Sequence, residues 1–201
     1  MTRRTATRTV LFGVVAVAAV VAAVVGWASS RATPSPTPPT SFGWLTSATP
    51  VAGGTQRAVP SGLGTLAVPP GFRPVSGDQG TLSVAIVDAA GNYLGYLNVT
   101  PRQGDEQLQG WAAFRLNHLL DDDAVSAHEV AAVETIRSKS GVRSCVIDDY
   151  VTRVDHHRFR EVACFVVDGS SSSVIVAAAP MGDPAHVWRQ LERAVATYPV
   201  N

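Results

Sequence analysis

The chain has 201 residues and is short of the groups that carry most side-chain chemistry. It holds two cysteines, two methionines and a single lysine, Lys139, with 7% aromatic and 16% charged residues. Cys145 and Cys164 make no C-x-x-C redox motif, and no Gly-x-Ser-x-Gly elbow is present to raise a serine nucleophile. Positive charge is equally scarce behind the N-terminus: residues 62–201 carry 11 basic and 16 acidic side chains, although the whole chain sums to zero. No segment after Arg57 could neutralise several phosphates, which excludes a nucleic-acid binder resting on a basic surface. No cofactor-binding signature is present, so no cofactor is expected.

What the chain has in quantity is Ala, Val and Arg. Fifteen of its 16 basic residues are Arg, a bias that fits a GC-rich bacterial genome. Val10 to Ala28 is 19 residues without a charge. As a helix it spans roughly 28 Å, close to the hydrocarbon thickness of a bilayer. Arg3, Arg4 and Arg8 precede it, and the positive-inside bias places them in the cytoplasm. This predicts a single-pass anchor in the lipid bilayer over residues 10–28, a cytoplasmic stub over 1–9, and an extracytoplasmic remainder. The alternative is cleavage near Ala28, before Ser29, because Gly26-Trp27-Ala28 has small residues at suitable spacing. Cleaved apolar regions run about 7–15 residues, which favours the anchor. No Cys follows the run, so a bacterial lipid anchor is excluded. Arg3-Arg4 also lacks the apolar pair that follows a twin-arginine signal.

Residues 29–61 read as a linker, with six Pro between positions 32 and 60. Such a stretch buries too little apolar surface to offset the entropy of ordering. Phe42, Trp44 and Leu45 interrupt it, and the sequence leaves open whether they meet the membrane surface or dock on the domain.

Residues 62–201 are long enough for a hydrophobic core. Strands are predicted over Thr65–Val68, Thr81–Val87 and Tyr93–Thr100, with Tyr93, Gly95, Leu97 and Val99 on one face. A helix follows over Asp105–Leu120, its stripe formed by Leu108, Trp111, Ala112, Leu116 and Leu119. It should end by Leu120, since Asp121-Asp122-Asp123 opposes the helix dipole. Four strands come next: Val125–Ile136, Val142–Val154, Phe159–Asp168 and Val174–Ala179. The closing helix has Asp183 as cap, Pro184 at its first position, and Val187, Leu191, Ala194, Val195 and Tyr198 along its apolar stripe. Strands joined by short turns make an antiparallel sheet, and the helices pack on it in an α+β domain of order βββαββββα.

The order of elements, Pro69-Pro70-Gly71-Phe72, the Gly141 that opens the long hairpin, and a closing amphipathic helix ending in Tyr198 resemble the PsbP-like fold family. Actinobacterial exported proteins of the LpqN type belong to that family. The resemblance covers residues 62–199. It implies a non-enzymatic binding or scaffold module, and it brings no active site to carry over.

The remaining candidates are few. If the hairpin turn is centred between Val154 and Asp155, Cys145 faces Cys164, Ile147 faces Val162, Asp149 faces Arg160 and Tyr150 faces Phe159. An exported chain with an even cysteine count then predicts a Cys145–Cys164 disulfide. A turn centred on His156-His157 would separate the sulfurs too far to bond. Adjacent His156 and His157 point to opposite faces of a strand, and Asp121–Asp123 lacks the alternating ligands of a calcium loop, so no metal site is expected. Ser170–Ser173 lacks a base. Trp111 reads as core. Trp188 lies at the edge of its helix's stripe and is the better candidate for a part-exposed anchor, on a surface for an envelope protein or an apolar ligand, with ordinary core packing as the favoured alternative. Two functions remain in view. One is a membrane-tethered extracytoplasmic binding or scaffolding module without catalysis. The other is an envelope hydrolase, which a deep apolar cleft with convergent polar groups would favour.

Overall fold

A computed structural model describes residues 41–46, 49–138, 141–182 and 185–199. The expected anchor over 10–28, and Asp183 and Pro184, lie outside these residues. Among the described residues no helix is long and apolar enough to cross a membrane.

Among the described residues nine strands, two helices and a π turn follow a short 3₁₀ turn. The strands are β1 Thr55–Ala58, β2 Thr65–Val68, β3 Arg73–Pro74, β4 Leu82–Val87 and β5 Tyr93–Pro101, then β6 Ala124–Ser138, β7 Gly141–Thr152, β8 Arg158–Asp168 and β9 Ser171–Pro180. The helices are α1 Trp111–His118, between β5 and β6, and α2 Ala185–Thr197 after β9. Seven strands form one sheet in the order β3-β4-β5-β9-β8-β7-β6, and β1 pairs with β2 apart from it. Every pairing is antiparallel. The α+β class and the two helices agree with the sequence reading.

The long hairpin has the expected register: Cys145 faces Cys164, Ile147 faces Val162, Asp149 faces Arg160 and Tyr150 faces Phe159. Gly141 opens it at φ 110°, where a Cβ would collide with the Val167 carbonyl oxygen. Only glycine fits there. Cys145 and Cys164 are disulfide-bonded, with Cα atoms 4.1 Å apart.

Alternation divides the sheet into two faces. One face carries Val84, Leu97, Val99, Ile147, Val162, Ile175, Ala177 and the disulfide, and it forms a single core with α2. The predicted stripe Val187, Leu191, Ala194, Val195 and Tyr198 is wholly buried. Arg143, 1% exposed, ends that helix by donating from Nη1 to the Val195 carbonyl at 2.7 Å and from Nη2 to that of Tyr198. The opposite face carries Val146, Ala163, Phe165, Val174 and Val176, which pack around Trp111 of α1.

The structure differs from expectation at five places. Order begins earlier than residue 62: β1 pairs with β2, and a 3₁₀ turn over Gly43–Thr46 packs on α2 with Leu45 5% exposed. Phe42, Trp44 and Leu45 therefore supply enough apolar surface to fix a piece of the expected linker on the domain. Helix α1 starts at Trp111 and not at Asp105, because Gly110 before it takes a left-handed conformation with φ 71°. The Glu106 carboxylate instead accepts the Gln103 backbone N–H at 2.6 Å. The coil continues past Leu120 as a π turn, Leu119–Asp123, since the Arg153 guanidinium donates to the carbonyls of Leu120, Asp121 and Ala124 at 2.7, 3.3 and 3.0 Å. Tyr93 leaves the face of Gly95 and Leu97, because a bulge sets Val87 against Tyr93 but Ile86 against Gly95. Ser171–Ser173 belongs to β9, with Asp168 paired to Ser171 across a tight turn.

Candidate functional site

Helix α1 touches β6, β7 and β8 and leaves the same sheet face open over β9 and β5. The result is a groove of about 600 Å³. Its lining includes Tyr93, Tyr96, Trp111, Phe114, Tyr150 and Phe159. On one side Tyr93 and Tyr96 meet edge to face with centroids 6.2 Å apart; on the other Tyr150 stacks on Phe159 at 5.6 Å. Ala178 of β9 faces Tyr96 on one neighbour and Glu161 on the other, so a methyl group is the floor between two walls.

Buried charge lies where α1 meets this floor. Arg115, one turn after Trp111, grips Glu161 with both arms: Nε to Oε1 at 2.6 Å and Nη2 to Oε2 at 2.9 Å. The side chains are 13% and 2% exposed. Burial by itself would depress the guanidinium, but the Glu161 charge holds it above its ordinary value. Asp148 faces Glu161 on the adjacent strand, is fully buried, and neither carboxyl oxygen has a hydrogen-bond partner. Burial first, then the charges of Glu161 and Asp149, push it up to about 9 against the opposing pull of Arg115. A neutral carboxylic acid therefore lies beside an ion pair. Burial likewise raises the Tyr150 and Tyr96 phenols.

Several of the groove's polar side chains are already engaged. Thr152 Oγ1 donates to Asp155 and accepts the His157 N–H at 2.9 Å, closing the hairpin tip. Thr100 Oγ1 donates to the Pro101 carbonyl at 3.3 Å and accepts Gln103 Nε2 at 3.2 Å. His118 pairs with Asp122 at 3.3 Å on the surface. This is a broad concavity of rings over paired charges.

The candidates from the sequence scatter. Cys145–Cys164 lies in the core beneath the other face. Trp188 is 2% exposed, so the part-exposed anchor is absent; the Gly43–Thr46 turn lies against its helix, and Leu45 and Trp188 share one buried cluster. Asp121–Asp123 is exposed at the π turn, with only Asp123 on the groove. Asp148 and Asp149 face opposite sides of the sheet, Asp149 gripped by Arg160 at 2.7 Å. His156 and His157 are exposed at the hairpin tip, His156 at φ 56°. The sequence reading did not single out Arg115, Glu161 or Tyr96. The signal was available: the register that pairs Cys145 with Cys164 also pairs Asp148 with Glu161, and Arg115 falls four residues after Trp111 on its stripe.

No protein-family model and no curated protein matches the chain. Solved structures do. The Ran-binding protein Mog1p of Saccharomyces cerevisiae is similar at TM-score 0.50 and 11% identity, over 71% of this chain and 92% of Mog1p. A Bacteroides thetaiotaomicron protein gives 0.41 and 12% over 70% of this chain, which spans about half (47%) of that longer protein. LpqN of Mycobacterium tuberculosis, described as involved in cell envelope biogenesis, gives 0.39 and 10% over 68% of this chain and 79% of its own. At such identities the likeness is one of fold, and the fold is PsbP-like, as the sequence resemblance implies.

Proposed function

We propose that the chain is a non-catalytic binding or scaffolding module of the bacterial envelope, held at the outer face of the cell membrane by residues 10–28, and that the groove is its binding site. The observation that supports this is the groove itself. It has the volume of a small-ligand site. Its walls are aromatic, and both of its guanidiniums are committed to partners within the protein. Among the described lining residues the one hydroxyl seen on a carboxylate, Thr152 on Asp155, closes the hairpin tip, so the geometry favours holding a molecule over transforming one.

Two measurements test the reading. Membranes washed with carbonate should retain the full-length chain; a soluble product beginning near Ser29 removes the tether. For the groove, the full-length chain in phosphatidylglycerol nanodiscs is melted with small-molecule fractions of envelope extract, beside Ala178→Leu, which fills the floor. A fraction that raises the wild-type midpoint and not the variant's supports the site. If every fraction leaves the wild type unchanged, or shifts both proteins equally, the groove is not a binding site.

A further inference from the structure

We infer that the groove selects a small organic cation, an ammonium group carried on an aliphatic body. This deepens the binding role proposed above and rests on it. Two independent features of the groove converge. The first is charge. Five carboxylates line it, Asp78, Glu106, Asp123, Asp155 and Glu161, against two guanidiniums. Both cations are occupied: Arg115 is neutralised by Glu161, and Arg153 is turned onto the carbonyls of the π turn. The carboxylates of the lining thus outnumber its guanidiniums by three. Its low-dielectric walls concentrate that potential inside the concavity.

The second feature is the rings. Tyr96, Ala178 and Glu161 lie side by side on three neighbouring strands. The strand of Tyr96 is thus two inter-strand spacings from that of Phe159 and three from that of Tyr150, roughly 10 to 14 Å between backbones. A quaternary ammonium head fits between walls at that distance and presents its positive surface to ring faces on both sides. The faces of tyrosine and phenylalanine attract cations, by about 0.5–2 kcal/mol depending on desolvation. An anion meets repulsion from the rim. A neutral molecule of the same shape gains burial alone. Only a cation gains from the rim and the rings together.

The probes are choline and its uncharged isostere 3,3-dimethylbutan-1-ol, titrated into the full-length chain in phosphatidylglycerol nanodiscs and followed by tryptophan and tyrosine fluorescence. Choline should bind at least about tenfold more tightly than the alcohol, a factor equivalent to about 1.4 kcal/mol. Tyr93→Ala, at a 46% exposed ring that the fold does not need, should weaken choline severalfold. Asp78→Asn and Asp123→Asn should each weaken choline and leave the alcohol unchanged. Equal affinity for the two probes overturns the cation preference while the groove remains a binding site. Choline that fails to bind in the millimolar range, or binds unaffected by all three substitutions, overturns it as well. The binding role itself fails only in the extract experiment above, so the two failures are distinguishable.

Discussion

Replacing Asp148 by Asn should remove a pH dependence that this one side chain imposes on the fold. The carboxyl group is wholly buried, has no hydrogen-bond partner, and faces Glu161 across β7 and β8. Burial, with Glu161 and Asp149 adding to it, raises its folded pKa from 3.8 to about 9. The native state therefore binds a proton that the unfolded chain releases. The stability this proton confers is complete below pH 3.8 and falls as pH rises towards 9, by about 1.4 kcal/mol per pH unit. Between pH 5 and 8 the loss amounts to about 4 kcal/mol, a large part of the stability of an ordinary domain. Asn has the same shape and cannot ionise. Whatever constant packing cost it brings, the slope should vanish. Urea unfolding followed by tryptophan fluorescence at four pH values gives both curves. The gap between Asp148→Asn and wild type should widen in favour of the variant as pH rises. Parallel curves would mean that Asp148 is ionised in the folded state and that Arg115 serves two carboxylates, which refutes the account of the buried acid.

Arg115→Met should cost about 3–5 kcal/mol, because it leaves Glu161 buried, charged and beside Asp148, and adding Glu161→Gln should recover most of that loss in the same unfolding assay. Thiol-reactive mass labelling of the unreduced protein should find no free cysteine, and the Cys145→Ala/Cys164→Ala variant should lose about 3 kcal/mol, as expected for cross-linking a loop of that size. Trp188→Ala should lose about 3–5 kcal/mol, since the ring is core; near-neutral stability would return it to the surface role its sequence position suggested.

What the sequence disclosed and what it withheld have physical causes. Alternation and turn chemistry are local, so the β7–β8 register followed once a turn centre was chosen, and Cys145–Cys164 with it. The stripe of α2 was legible because 3.6-residue periodicity survives whatever covers it. Trp188 was misplaced because its cover, the Gly43–Thr46 turn, comes from about 140 residues earlier in a stretch whose proline content reads as linker. Propensity also extended α1 to Asp105, whereas Gly110 in a left-handed conformation decides its start. The groove was invisible for a related reason. It is made by the absence of cover over β5 and β9, and no local pattern encodes an absence.

A single helix over a seven-stranded sheet is what leaves this face partly open. One helix is about 10–12 Å wide, while seven strands span roughly 29 Å from the first axis to the last. Helix α1 therefore covers the β6–β8 end of its face, and Trp111 anchors it there by donating from Nε1 to the Ala163 carbonyl at 2.9 Å. The open end must tolerate water yet continue a hydrophobic layer. Tyrosine, threonine and asparagine meet both demands, and Tyr96, Asn98 and Thr100 occupy alternate positions on β5 there. The ion pair of Arg115 and Glu161 stands at the boundary between covered and open sheet. It pins the last turn of a short helix to the floor, so the rings across the groove face a fixed wall. A second helix beside α1 would bury this face and remove the groove, and a helix without Arg115 would leave its edge free to move. The same residue that satisfies a buried carboxylate thus fixes one edge of the groove, so under the proposed role binding and stability are coupled through one guanidinium.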